Sequence, residues 1–176
     1  MKTLATPVRI SEQEIRRKAT EDNKFSFNRL QVRNRTISRT ELRYVEYFVM
    51  EYQMIHREWF GLKKEQEPKT QTVYLLGNGS TGYTSYMEVL PQTIPIDAEE
   101  NNLQKADYSV DQMSGQAKIT LLKLFRRHIG GRIPQFRLVS ARSLYRPFWL
   151  VYYDGAKKDG RTLCAVLNAD GYQVGR

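Results

Sequence analysis

Apolar and polar positions along this chain fall mostly into short alternating runs, broken by two stretches of helical spacing. The first helix is announced by Ser11-Glu-Gln-Glu14, a capping box in which serine and glutamate satisfy each other's backbone amides. Ile10 and Ile15 stand at the hydrophobic-staple positions around it, and the pattern carries the helix to about residue 22, with Asn23 as its stop. Its apolar stripe is thin (Ile15 and Ala19), as suits a helix lying on a sheet. Alternation then takes over: Phe25, Phe27, Leu30 and Val32 predict a strand with a slip in it, and Arg29, Gln31, Arg33 and Arg35 point the other way. The run 44–55 fits either a buried strand or a helix by pattern alone. Residues 72–76 and 83–90 predict a hairpin about a Gly/Asn/Ser turn.

Residues 91–107 read as an acidic connection. A second helix opens near Ser109 or Asp111, with Leu121, Leu122, Phe125 and Ile129 on its apolar face and Gly130-Gly131 as its end. Strands at 136–142, 148–153 and 162–167 complete the pattern, with Asp154-Gly155 and Asp170-Gly171 marking turns. Tyr47-Phe-Val-Met-Glu-Tyr52 matches Phe148-Trp-Leu-Val-Tyr-Tyr153 position by position, and Thr72-Val-Tyr-Leu-Leu-Gly-Asn matches the stretch beginning at Thr162. This echo suggests an internal duplication. The expected fold is α+β: two related units, each a helix packed on a 3–4-stranded antiparallel sheet. The first spans 1–96, an acidic linker 97–110, and the second, basic unit 111–176. In the second, Val166-Leu-Asn-Ala-Asp-Gly-Tyr-Gln-Val174 closes a helix-and-meander order and resembles the last strand of the PepSY-type module, with Asn168 in place of the usual aspartate. The resemblance covers roughly 112–174, and more loosely 11–90. It implies a small non-catalytic module that regulates or binds another protein or the cell envelope.

Composition sharpens this picture at three points. Twenty aromatics (11 Tyr, 7 Phe, 2 Trp) supply enough surface for a core in a chain of 176 residues. The net charge of +9 is uneven. Residues 1–69 hold 15 basic against 10 acidic groups, 70–114 hold 1 against 6, and 115–176 hold 12 against 3. A basic half attracts anionic partners or simply keeps a β-rich protein soluble. Finally, no run approaches a membrane span and the N-terminus lacks the apolar core of a signal peptide, so a cytoplasmic protein is expected.

Candidate chemistry is sparse. Gly77-Asn-Gly-Ser-Thr-Gly82 matches a dinucleotide fingerprint, but β-forming residues and Pro91 follow where a helix is required, so a turn is expected. His56 and His128 lack metal-ligand partners at useful spacing, Cys164 reads as a small buried filler within a strand, and Ser80 is in no nucleophile elbow. No cofactor, metal or catalytic residue is expected, nor an enzyme. Asn34-Arg-Thr36 and Asn78-Gly-Ser80 are glycosylation sequons, relevant only in a eukaryotic secretory setting. The one functional constellation is basic and aromatic: Arg126, Arg127, Arg142, Arg146 and Tyr152 as a candidate site for an anionic ligand. The expected role is therefore a non-catalytic binding or accessory module acting through protein contacts. The alternative is nucleic-acid binding by the basic C-terminal unit. Exposed edge strands also admit homodimerisation by sheet extension.

Overall fold

A computed structural model describes residues 1–21, 36–56, 69–125, 134–156 and 162–172. In chain order these form β1 (Lys2–Ala5), α1 (Glu12–Glu21), β2 (Ile37–His56), β3 (Lys69–Asn78), β4 (Thr84–Met87) and β5 (Ile94–Asp97). A 3-10 turn (Glu100–Asn102), β6 (Leu103–Gln104), α2 (Val110–Phe125), β7 (Gln135–Ala156) and β8 (Thr162–Asn168) follow. The strands join in one sheet of order β4-β3-β2-β7-β1-β5, with β6 on β2 and β8 on β7. It is mixed, because β1–β7 and β2–β6 run parallel while the hairpins run antiparallel.

This corrects the expected pair of helix-on-sheet units: the chain is mostly strand, with two α-helices among the described residues. The discrepancy arises where the pattern suggested breaks. Residues 136–142 and 148–153 belong to one strand, since Leu144, Tyr145, Arg146, Pro147 and Phe148 are all buried and leave no polar turn. Tyr145 pairs with Ala5, and its carbonyl accepts the Thr6 N–H at 2.9 Å. The ambiguous run 44–55 is strand throughout. The stretch read as a linker contains β5 and β6 and buries Ala98 and Leu103.

By contact the chain divides into two compact units, each drawn from separate stretches. The first takes Met1–Val45, Gln92–Gln104 and Tyr145–Tyr172. Its α1 is capped as expected: the Ser11 N–H donates to Glu14 Oε2 at 3.0 Å, and the Glu14 N–H donates to Ser11 Oγ at 3.3 Å. The Ser11 backbone amide, helped by its hydroxyl, holds the Glu14 carboxyl below the usual range. Ile15 and Ala19 bury against Val151, Tyr153 and Leu163, with Ile10, Ile37 and Trp149 at the margin. Two aromatic side chains of β7 tie the helix down, Trp149 Nε1 donating to the Ile10 carbonyl at 2.9 Å and the Tyr153 hydroxyl to that of Ala19 at 3.3 Å. A second cluster gathers Ala5, Ala98, Leu103 and Tyr145.

In the other unit, α2 starts on a reciprocal cap between Ser109 and Gln112. Met113, Ala117 and Leu121 recur every four residues and are fully buried, the latter two packing on Met50, Tyr52 and Met54 of β2 and Val73 and Leu75 of β3. Leu122, expected on the apolar face, instead turns outward; Phe125 lies half-buried beside Phe136. Ile129 and Gly130-Gly131 lie outside the described residues, as does the strand expected from Phe25.

One defect stands inside this core. Tyr52 is 1% exposed and its hydroxyl has no hydrogen-bond partner among the described residues. Burial pushes its phenol pKa up. An unpaired buried hydroxyl is a desolvation loss, so Tyr52→Phe should stabilise the protein by on the order of 1 kcal/mol. Urea denaturation of the two proteins, with unchanged m-value, checks this; a less stable variant would mean the hydroxyl has a partner after all.

Candidate functional site: the outer edge and open face of β8

The β7–β8 hairpin pairs Phe148 with Asn168, Leu150 with Val166 and Tyr152 with Cys164. The Ala169 N–H donates to the Pro147 carbonyl at 3.0 Å, which fixes the phase of the ladder. In an antiparallel pair, hydrogen-bonded and non-bonded positions alternate. The backbone groups of Leu163, Ala165 and Leu167 therefore face β7, and those of Cys164, Val166 and Asn168 face away from it. Among the described residues β8 pairs only with β7. Side chains alternate by the same period of two. Leu163, Ala165 and Leu167 pack toward α1, whereas Cys164, Val166 and Asn168 are exposed, Val166 to 61%.

β8 reads Thr-Leu-Cys-Ala-Val-Leu-Asn, with no charge, proline or glycine. Natural edge strands are commonly blunted by charge, proline or a bulge. The pairing of 148–153 with 163–168 is regular, the only register shift falling between Tyr153 and Ala156.

Beside this edge, Tyr152 carries a polar cluster on the face turned away from α1. Its hydroxyl donates to Glu41 Oε2 at 3.3 Å, and the Arg39 guanidinium lies 4.1 Å from the centre of its ring. Glu41 also forms an ion pair with Arg43. Burial, then the Glu41 charge, push the Tyr152 phenol up. The same two causes, in the same order, raise the Cys164 thiol, so it stays protonated near neutrality and is a poor nucleophile. Cys164 is nonetheless exposed, which corrects the expectation of a buried filler.

The anion-site candidates fare differently from one another. Arg146 is 1% exposed: Nε donates to Asp170 Oδ2 at 2.8 Å, and Nη2 to Asp170 Oδ1 at 3.0 Å and to the Tyr172 carbonyl at 2.8 Å. Its guanidinium lies 5.7 and 5.5 Å from the ring centres of Phe148 and Tyr172. It is a structural cation, already paired. Arg142 belongs to the other unit and is exposed; Tyr152 is half-buried and bonded to Glu41. Arg126 and Arg127 lie outside the described residues, as do His128, Asn34 and the arginines at 29, 33 and 35. Asp170 was the residue sequence reasoning missed. Its Asp-Gly context reads as an ordinary turn, and nothing local tells that its carboxylate is buried.

The glycine-rich segment is the expected turn between β3 and β4, which pair from Tyr74–Met87 to Gly77–Thr84. Gly82 takes φ +69°, and the Ser80 N–H donates to Asn78 Oδ1. Asn78 Nδ2, the atom a glycan would need, donates to the Tyr47 hydroxyl at 2.9 Å. Among the described residues no cluster of three or more His, Cys, Asp or Glu could hold a metal ion, and no helix is long and apolar enough to cross a membrane. No family model, curated protein or solved structure matches the chain.

Proposed function

We propose that this protein is a non-catalytic binding module whose partner is a protein, docked by strand addition along β8. One observation carries the reading: among the described residues β8 is a seven-residue, uncharged edge, regularly paired over 163–168, whose outward backbone groups belong to exposed residues. Strand addition draws affinity from main-chain hydrogen bonds and specificity from alternate side chains, here Cys164, Val166 and Asn168. Nucleic-acid binding loses Arg146, which is already paired with Asp170, and keeps the +9 charge and the exposed Arg142 as its support.

Val166→Pro tests the proposal. Its N–H points away from β7, so proline there removes an outward donor without breaking the hairpin. Affinity capture with wild-type and Val166→Pro baits should retain a protein that the variant loses. Identical retention by both baits would reject β8 as the docking edge.

A further inference from the structure

We infer that the strand added to β8 is the β8 of a second copy of this chain, related by a two-fold axis at Ala165. This rests on the strand-addition reading above and names its partner. Full antiparallel overlap of the seven residues has its centre at Ala165. In that register Thr162 meets Asn168, Leu163 meets Leu167, Cys164 meets Val166, and Ala165 meets itself. Polar faces polar and apolar faces apolar at every position. The ladder phase agrees, because Cys164 and Val166, whose backbone groups turn outward, pair with each other, and none of the inward-facing residues at 163, 165 and 167 is set against an outward-facing one.

Charge points the same way. An interface with two-fold symmetry presents the same patch from both sides, so any charge near its axis approaches its own copy. The chain carries +9, yet none of its 28 Lys and Arg falls within Thr162–Asn168. An edge made for a differently charged partner would gain from the abundant cations of this chain; this edge has none. The Leu163 and Leu167 side chains already pack on the α1 side, where the facing leucines of the copy extend the same apolar layer. Two copies of a basic chain repel at long range, and salt screens that repulsion. Dimerisation should therefore strengthen as salt rises, opposite to phosphate binding, which weakens.

The test uses the full chain with single cysteines. In the proposed register Cys164 lies across from position 166 of the copy, a bonded pair with Cα atoms about 5.5 Å apart, within disulfide reach. Positions 164 and 164 of the two copies are diagonal neighbours, about 7–8 Å apart and beyond it. Wild type alone, and Cys164→Ser/Val166→Cys alone, should form no cross-link under mild oxidation, whereas their mixture should form a disulfide-linked heterodimer. Light scattering should give twice the 20.6 kDa chain mass for wild type and the single mass for Val166→Pro. Val166→Lys, with circular dichroism as a fold check, serves if the proline variant unfolds.

A strict monomer at high concentration, with no cross-link from the mixture, overturns the dimer. Amide exchange then separates the two readings. Fast exchange at Cys164 and Val166 in such a monomer leaves β8 open to another protein, so only the second-copy inference fails. Slow exchange there means the edge is covered within the chain, and both fail.

Discussion

Asp170→Ala should destabilise the protein by about 3–5 kcal/mol, the range for removing one partner of a buried ion pair and stranding the other. Asp170 organises a small network. It accepts Arg146 Nε and Nη2, the Thr6 hydroxyl at 2.9 Å and the Tyr172 N–H at 2.9 Å. Arg146 and Asp170 side chains are 1% and 2% exposed, so water cannot take the place of the carboxylate. Arg146→Met in the Asp170→Ala background should recover much of the loss, because an apolar group replaces the orphaned charge. Denaturant midpoints of the single and double variants decide the matter. Equal loss in both would mean that packing around Phe148 and Tyr172, rather than charge, governs the site.

The second large effect falls on the turn after β3. Gly79→Ala is expected to lose about 1–3 kcal/mol through overpacking. A Cβ there would stand 2.5 Å from the Ala106 Cβ and 2.7 Å from the Glu46 carbonyl oxygen. Neither neighbour is the end of a flexible side chain. The backbone is also pinned, with the Gly79 N–H donating to Glu46 and its carbonyl accepting from Asp107 and Tyr108 at 2.9 Å each. Glu46 in turn holds the Ala106 N–H at 2.9 Å and the Ser143 hydroxyl. Gly115→Ala on the exposed side of α2 meets open space and should gain about 0.5–1 kcal/mol from helix propensity. Opposite signs for the two glycines in one thermal or urea series would support the contact argument; a neutral Gly79→Ala would refute it.

The residues at the helix starts and turns were legible because their signals are local. Ser11 and Glu14 cap α1 three residues apart, Ser109 and Gln112 do the same for α2, and the glycine-rich turn closes the β3–β4 hairpin. The candidate site was legible only in part: the strand at 162–167 could be read, but not which of its residues face out, nor the neighbourhood of Cys164 with Glu41 and Arg39. Those residues lie more than a hundred positions apart and meet through sheet pairing.

By itself, then, the sequence determined where helices begin, where the hairpin turns and which residues alternate, since each depends on contacts within a few positions. Tertiary structure decided the rest. It carried β7 through Leu144–Arg146–Pro147, where buried neighbours substitute for a turn, and it drew an acidic stretch into the sheet beside β1. It also made Arg146 an interior cation and, among the described residues, left β8 as an edge. Burial of a charge requires a partner, and that partner, Asp170, stands 24 residues away, a distance at which composition and periodicity carry no information.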